Sequence, residues 1–192
     1  MQGEETVYVF EEAVAFAVQA HKGMVRKAGK HPYILHPMEA AVIVGSMTDD
    51  PEVLAAAVLH DVVEDANVTL TEIRDKFGER VMDLVASETE YKRVYLPAAD
   101  TWQIRKNEAV ELLRATDDIG VKMLYLGDKL SNLRSISRGL KDQGEAYWQQ
   151  FNQTDPKKHH WYYRTIAEAT QELSCYGVWQ EFDQLIHEIF EK

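Results

Sequence analysis

The sequence is short of several kinds of residue, and each shortage excludes a class of protein. It has 1 cysteine, Cys175, so no intrachain disulfide can form, and we expect this cysteine to be a small core residue. With only 10 glycines and 5 prolines, a strand-rich fold with many tight turns is disfavoured. No apolar run is long enough to cross a membrane. The acidic first residues are not followed by an apolar run, so we expect no signal peptide and a reducing, cytoplasmic setting.

Positive charge is also scarce, since the formal net charge is -11 at pH 7. A non-specific nucleic-acid binder normally carries a basic face, so nucleic acid is disfavoured as a partner. An acidic protein still binds a small polyanion when it has a local basic pocket or a metal ion. The sequence leaves the oligomeric state open, a homo-oligomer included.

Helical periodicity runs along most of the chain. Val7 to Ala20 places its apolar residues on one stripe, as in an amphipathic helix. Asp50 before Pro51 predicts a capped helix start, and Thr69 with Glu72 predicts a capping box. Because no alternating strand pattern is present, we predict a single all-α domain over residues 1–192, with roughly eight to ten helices.

Four further segments complete the predicted organisation. They are an extended piece between Pro32 and Pro37 that ends at His36, a helix from Pro51 through Val62, a surface loop from Glu88 to Ala99, and a long helix from about Asp118 to Leu140 broken near Gly139.

The string His60-Asp61-Val-Val-Glu64-Asp65 is the strongest functional signal. Residues four apart share a helix face, so His60 lies above Glu64 and Asp61 above Asp65. Apolar residues 54–59 anchor this end of the helix in the core. Ionisable side chains so placed are costly unless they are paired or bind a metal ion.

Two other segments offer side chains that complete such a site. Asp128 is an acid in an otherwise apolar helix, Asn132 follows one turn later, and Gly127 permits close helix packing. His36 lies upstream. Taken singly, His36 also fits a core histidine and Asp128 a partner for Arg134, but together and in this order they favour a metal site.

The predicted ligands are imidazoles and carboxylates without sulfur. Such a set suits manganese, iron, zinc or magnesium, with zinc less favoured when carboxylates are this abundant. A bound metal ion lowers the pKa of a water molecule and neutralises phosphoryl oxygens. Glu64 and Asp65 could then orient the water or protonate the leaving oxygen, so the residues predict a metal-dependent phosphohydrolase.

The order of these elements closely resembles the HD-domain phosphohydrolases. Within them it resembles the (p)ppGpp hydrolase domain of the RelA/SpoT family, especially the stand-alone small alarmone hydrolases. The resemblance covers roughly His21 to Arg138, and it implies an HD-domain helical bundle with a motif core at about 21–138 and C-terminal helices at 139–192. The matching strings are Ala20-His21-Lys-Gly23-Met-Val-Arg26-Lys27-Ala-Gly29, Pro32-Tyr33-Ile34-Leu-His36-Pro37, Leu59-His60-Asp61-Val-Val-Glu64-Asp65, Phe77-Gly78 and Gly127-Asp128-Lys-Leu130-Ser-Asn132-Leu133-Arg134-Ser135.

The resemblance implies three sets of site residues. Manganese is the family's usual ion, although another divalent metal remains an alternative. Two basic residues would flank the purine base, and two polar residues would lie at the ribose. The sets are the metal ligands His36, His60, Asp61 and Asp128, the catalytic acids Glu64 and Asp65, and the substrate contacts Arg26, Lys27, Asn132 and Ser135.

The implied reaction removes the 3′-pyrophosphate of a guanosine alarmone, giving GDP or GTP and pyrophosphate. The residues by themselves support attack by a metal-activated water on phosphorus, and they do not select guanosine. Ala28 stands where the long bifunctional enzymes carry a serine, which affects the nucleotide pocket more than the metal site. The alternatives are an HD-type nucleotidase or dinucleotide-cofactor phosphatase, a catalytically silent nucleotide sensor, and a helical interaction scaffold without metal.

Overall fold

Helices make up most of the backbone in this computed structural model, which describes residues 2–26 and 31–191, with side chains from residue 8 onward. Within these ranges the one β feature is an isolated bridge between Val25 and Pro32. The all-α prediction is therefore confirmed. The ten α-helices are α1 (Gln2–Ala20), α2 (Leu35–Gly45), α3 (Pro51–Leu59), α4 (Val62–Asp65), α5 (Leu70–Phe77), α6 (Glu79–Glu88), α7 (Ala98–Ala115), α8 (Ile119–Gln143), α9 (Pro156–Ala169) and α10 (Gly177–Phe190), and 3-10 helices cover Gly144–Gln150 and Gln171–Leu173.

The chain divides into two compact units. The first comprises the residues up to Thr89 together with Asp118–Asp128, and the second comprises Glu90–Asp117 and the residues from Lys129 onward. Helix α8 contributes its first part to the first unit and the rest to the second. That residues 1–192 form one domain stays a prediction. No described helix is long and apolar enough to cross a membrane.

Helix α3 is the centre of the first unit. Its residues from Ala55 to Leu59 have no exposed surface, and α3 packs against α1, α2 and α6. The predicted cap is confirmed, because the Asp50 side chain accepts hydrogen bonds from the backbone of Glu52 and Val53. The capping box of Thr69 and Glu72 is also present at the start of α5. Local signals thus set the helix ends around the buried α3.

The segment before His36 differs from its prediction. No extended piece ends at His36, because residues 33 and 34 form a turn and α2 begins at Leu35. The backbone N–H of His36 donates to the carbonyl of Tyr33 at 3.0 Å. Pro37 lies in the first turn of the helix, as predicted, because its missing N–H is not needed there. The consequence is that His36 is held by helical backbone.

The second unit has a core rich in aromatic rings. Trp148 packs on His159 with ring centroids 5.0 Å apart, and Trp102 packs on the same histidine at 5.4 Å. Helix α9, which carries His159, packs against α7 and α10. Its start is capped by Asp155, whose side chain accepts a hydrogen bond from the backbone of Lys157.

Two predictions about the second unit are wrong. Helix α8 is not broken at Gly139 but continues to Gln143, and the chain turns at Gly144, where φ is +61°. A Cβ atom at Gly139 would lie 1.9 Å from the ring of Tyr147, so this glycine makes room for a packed ring within the helix. Cys175 is exposed and is not a core residue, because it lies in the turn after the second 3-10 helix.

Candidate metal centre

A break between α3 and α4 directs His60 and Asp61 to the same place. The helix predicted through Val62 ends at Leu59, and Asp61 adopts φ −95° and ψ −6° before α4 begins. Neighbouring side chains on a continuous helix point about 100° apart. At this break the Nε2 atom of His60 lies 3.3 Å from Oδ2 of Asp61. Asp61 precedes α4 at the capping position but makes no capping bond with its side chain.

Close packing of α8 on α2 brings Asp128 to His36. A Cβ atom at Gly127 would lie 2.6 Å from Cγ2 of Val44 and 3.1 Å from the carbonyl oxygen of Ala40. Only glycine fits there without a shift, which confirms the predicted role of Gly127. As a result the Oδ1 atom of Asp128 lies 2.9 Å from Nε2 of His36.

Four side chains therefore converge in the first unit. Oδ2 of Asp61 lies 3.5 Å from Nε2 of His36, and Oδ1 of Asp128 lies 3.5 Å from Nε2 of His60. One ligand atom each from His36, His60 and Asp128 lies within 4.8 Å of the others, and all three residues are buried. The structure brings together all four residues that were predicted as metal ligands.

Hydrogen bonding orients His60 for coordination. Its Nδ1 atom lies 2.8 Å from the carbonyl oxygen of Ala57, which can only accept, so Nδ1 carries the proton. Its buried Nε2 atom makes no hydrogen bond among the described residues, although two carboxylate oxygens are near. An imidazole that donates from one nitrogen and aims the other at carboxylates has the arrangement of a metal ligand.

The ionisation of the cluster also suits a cation. Burial lowers the pKa of His36, against the raising effect of Asp128, so this imidazole is neutral. Burial would also lower the pKa of His60, but Asp61 and Asp128 outweigh it and hold this pKa well above its usual value. Burial would raise the pKa of Asp61, yet His60 keeps it below the ordinary range. A proton and a metal ion thus compete for His60.

These residues fit a divalent metal ion. Two imidazole nitrogens and two carboxylate oxygens without sulfur form a donor set that manganese, iron, zinc and magnesium accept. A buried set of this kind is costly without a cation. The geometry does not select one of these metals.

Asp65 lies beside the four side chains and Glu64 precedes it on α4. The hydroxyl group of Tyr33 lies 2.8 Å from Oδ2 of Asp61 and 2.7 Å from Oδ2 of Asp65. Glu64 is half-buried. Because α4 begins only at Val62, its short turn places Asp65 next to Asp61, where the backbone N–H of Asp65 donates to the Asp61 carbonyl at 2.9 Å.

The four predicted substrate contacts differ in where the structure places them. The guanidinium group of Arg26 lies 5.6 Å from the ring centroid of Tyr33, which puts a positive charge in the neighbourhood of the cluster. Lys27 lies outside the described residues. Asn132 and Ser135 are half-buried residues of α8 in the second unit, and their roles stay predictions.

Two residues beside the cluster were given no role by the sequence. Tyr33 contacts both acids, and His21 stacks on the Tyr33 ring with centroids 4.9 Å apart. Neither ring nitrogen of the buried His21 makes a hydrogen bond among the described residues. Burial lowers the pKa of His21, with Asp61 and Asp65 opposing this, so the ring is neutral. The spacing of Tyr33, three residues before His36, was the one signal available.

The chain is similar in sequence to known proteins over about two thirds of its length. The chain is 34% identical over 126 residues to a guanosine-3′,5′-bis(diphosphate) 3′-pyrophosphohydrolase of Aquifex aeolicus, a match that covers 66% of this chain and 17% of the relative. It is 34% identical over 135 residues to the GTP pyrophosphokinase rsh of Brucella melitensis, covering 70% of this chain and 18% of that protein. The chain thus spans less than a fifth of the length of these relatives.

Two solved structures share the fold. A crystal structure of a protein from Listeria monocytogenes EGD-e aligns with a TM-score of 0.71 and 32% identity, over 82% of this chain and 99% of the other. A metazoan ortholog of SpoT, described as hydrolysing ppGpp, aligns with a TM-score of 0.74 and 24% identity, over 94% of each chain. At that identity the second match establishes the fold alone.

The family comparison agrees with the geometry. The family model described as HD domain matches residues 13–153, a range that contains His36, His60, Asp61 and Asp128. Members of this family are metal-dependent, and the structure has a buried cluster of His36, His60 and Asp128 within that range. The chain belongs to the HD-domain family.

Proposed function

We propose that this protein is a metal-dependent phosphohydrolase that removes the 3′-pyrophosphate of ppGpp or pppGpp, giving GDP or GTP and pyrophosphate. The observation that carries the proposal is the convergence of two buried histidines and two carboxylates beside a third carboxylate, Asp65. The name of the Aquifex relative supplies the substrate class, and the name of the Brucella relative, a GTP pyrophosphokinase, also refers to a guanosine nucleotide. We propose the cytoplasm as its location, where such nucleotides are made and consumed.

His36, His60, Asp61 and Asp128 would hold the ion. We propose manganese on the ground of the family resemblance, with another divalent metal as the alternative, since carboxylates and imidazoles without sulfur suit several such ions. When bound, the ion lowers the pKa of a water molecule and neutralises a phosphoryl oxygen. His60 contributes through Nε2, because its Nδ1 proton is committed to the Ala57 carbonyl. Asp61 contributes a carboxylate that stays ionised.

Glu64 and Asp65 would move protons. Asp65 is held through the Tyr33 hydroxyl at 2.7 Å, and Glu64 is its neighbour on α4. A carboxylate within reach of the attacking water takes its proton, and a second one protonates the leaving oxygen. Which of the two acids does which task follows from the pose of the substrate.

The basic side chains near the cluster would receive the nucleotide. Arg26, over the ring of Tyr33, is proposed to contact the purine base, with Lys27 beside it in the sequence. Asn132 and Ser135 are proposed as contacts of the ribose on the ground of the family resemblance. An acidic chain with a net charge of -11 needs such local positive charge, or the metal ion, to bind a polyanion.

Product analysis tests the proposal. Chelator-treated protein is reloaded with Mn²⁺ and incubated with ppGpp, and the products are separated by anion exchange. We expect GDP and pyrophosphate in equal amounts, and no product without the metal. Release of orthophosphate would indicate a monoesterase instead. If ppGpp stays intact while another phosphorylated nucleotide is cleaved, the proposed substrate is wrong.

A further inference from the structure

The hydroxyl group of Tyr33 connects two carboxylates that have different tasks in the proposed function. It lies 2.8 Å from Oδ2 of Asp61, a proposed metal ligand, and 2.7 Å from Oδ2 of Asp65, a proposed catalytic acid. Both distances are the usual length of an O–H···O hydrogen bond. Tyr33 comes from the turn before α2, whereas the two acids lie at the start and the end of α4. One side chain from another segment therefore touches both.

The number of protons limits what this hydroxyl can do. A phenol has a single O–H proton, so it donates a full hydrogen bond to only one carboxylate at a time. While both acids are anionic they compete for this proton. When the Asp61 oxygen instead gives its electron pair to a cation, the phenol proton is left to Asp65.

We propose that Tyr33 is a positioning residue that ties Asp65 to the metal ligand Asp61, so that binding of the ion turns the phenol hydrogen bond toward Asp65 and fixes that carboxylate for proton transfer. This inference rests on the proposed function of Asp65. Tyr33 acts through Asp65 and Asp61, and it has no contact with the reacting phosphorus in this account.

The surroundings of Tyr33 hold its ring in place. His21 stacks on it with centroids 4.9 Å apart and an interplanar angle of 30°, and the Arg26 guanidinium lies 5.6 Å from its centroid. The backbone N–H of Tyr33 donates to the carbonyl of Met24 at 2.9 Å. Because these contacts involve the ring and the backbone, Tyr33→Phe keeps them and removes the hydroxyl alone.

A matched control is available in the same unit. Tyr125 is buried, and its hydroxyl donates to the carbonyl of Ser87 at 2.9 Å. Tyr125→Phe therefore removes a comparable hydroxyl that donates to a backbone carbonyl. The unfolding midpoints of the two variants report whether either substitution disturbs the fold.

The test measures metal binding and turnover separately. Mn²⁺ affinity is measured by electron paramagnetic resonance, and kcat and KM are measured on ppGpp. For Tyr33→Phe we expect kcat to fall by about 10- to 100-fold, as for other groups that orient site residues, with KM and Mn²⁺ affinity each within about threefold of wild type, because the phenol bonds Asp65 and not Asp61 once the ion is bound. Tyr125→Phe should match wild type in all three quantities.

Measuring the effect of Tyr33→Phe both in wild type and in the Asp65→Asn variant shows whether Tyr33 acts through Asp65. In protein that already carries Asp65→Asn, adding Tyr33→Phe should lower kcat by less than about twofold, because groups acting as one unit are not additive. A purely structural role would give the same fold-loss in both backgrounds. That result, wild-type kcat in Tyr33→Phe, or a Mn²⁺ affinity of this variant more than about tenfold below that of wild type, overturns the inference.

Failure of the proposed function is distinguishable from failure of this inference. If wild-type protein cleaves a nucleotide other than ppGpp, the kinetic comparison is made on that nucleotide. If it cleaves none, the Mn²⁺ affinities decide, and an affinity of Tyr33→Phe more than about tenfold below that of wild type overturns the inference.

Discussion

The first unit buries ionisable side chains side by side around a single point. Ligand atoms of His36, His60 and Asp128 lie within 4.8 Å of one another. In the second unit the largely buried Glu90 instead accepts hydrogen bonds from Arg105 and Lys106. The first arrangement suits a cation that must be bound, and the second is already neutralised by the protein's own cations. The difference separates charge used for chemistry from charge used for stability.

The largest expected effect is on turnover, in the first unit. Glu64→Gln keeps the size of the side chain and removes its charge, and it should retain the metal while kcat falls by about 10²- to 10⁴-fold, the usual contribution of general acid–base catalysis. Metal content by elemental analysis and kcat on ppGpp check this together. Unchanged kcat in this variant would remove Glu64 from the proposed machinery.

Removal of the metal ion should lower the free energy of unfolding, and this loss should depend on the site in the first unit. Because the ion binds the folded protein, Mn²⁺ at about 100 times its dissociation constant should raise the free energy of unfolding by about 2.7 kcal/mol. Thermal unfolding with Mn²⁺ and with chelator checks this. His60→Ala should abolish the difference. A variant that still responds to Mn²⁺ like wild type would contradict the site.

Glu90→Gln tests the second unit. This change leaves Arg105 and Lys106 without their anionic partner, and we expect a loss of about 1–3 kcal/mol in the free energy of unfolding, measured in urea. Adding Mn²⁺ should raise the free energy of unfolding of this variant by as much as it does in wild type. Loss of the metal response in this variant would mean that the division of roles between the two units is wrong.

The smallest expected effect is a pH dependence at the end of α10. Hydrogen bonds from His187, Arg164 and His160 lower the pKa of Glu191 from 4.5 to about 2. A carboxyl group whose pKa is lower in the folded state contributes stability above its unfolded value, and this is lost as the pH falls. The melting temperature of wild type should therefore exceed that of Glu191→Gln slightly at pH 7, and the excess should decline between pH 4.5 and about pH 2.

If the difference in melting temperature between wild type and Glu191→Gln did not change with pH, the lowered pKa of Glu191 would be contradicted. Because the Glu191 side chain is exposed, salt should also reduce the excess.

Interactions between residues close together in the chain could be predicted from the sequence. Asp50 and Thr69 act within three residues of their own positions, so their caps are confirmed in the structure. The cluster of His36, His60 and Asp128 was predictable because ionisable residues in apolar helices need partners.

Features that depend on packing between different segments could not be predicted from the sequence. The contact of Gly139 with Tyr147 and the bond from Tyr33 to Asp65 each depend on a partner from another segment. A propensity or spacing in one segment carries no information about such a partner. The same limit explains why the roles of Asn132 and Ser135 stay predictions.

The most direct test of the account is a Mn²⁺ titration of chelator-treated protein, followed by electron paramagnetic resonance. The account predicts one ion per chain in wild type and in Glu90→Gln, and none at the same concentrations in Asp128→Ala. Binding in Asp128→Ala with wild-type affinity, or no binding in wild type, would contradict the claim that these four side chains form a metal centre.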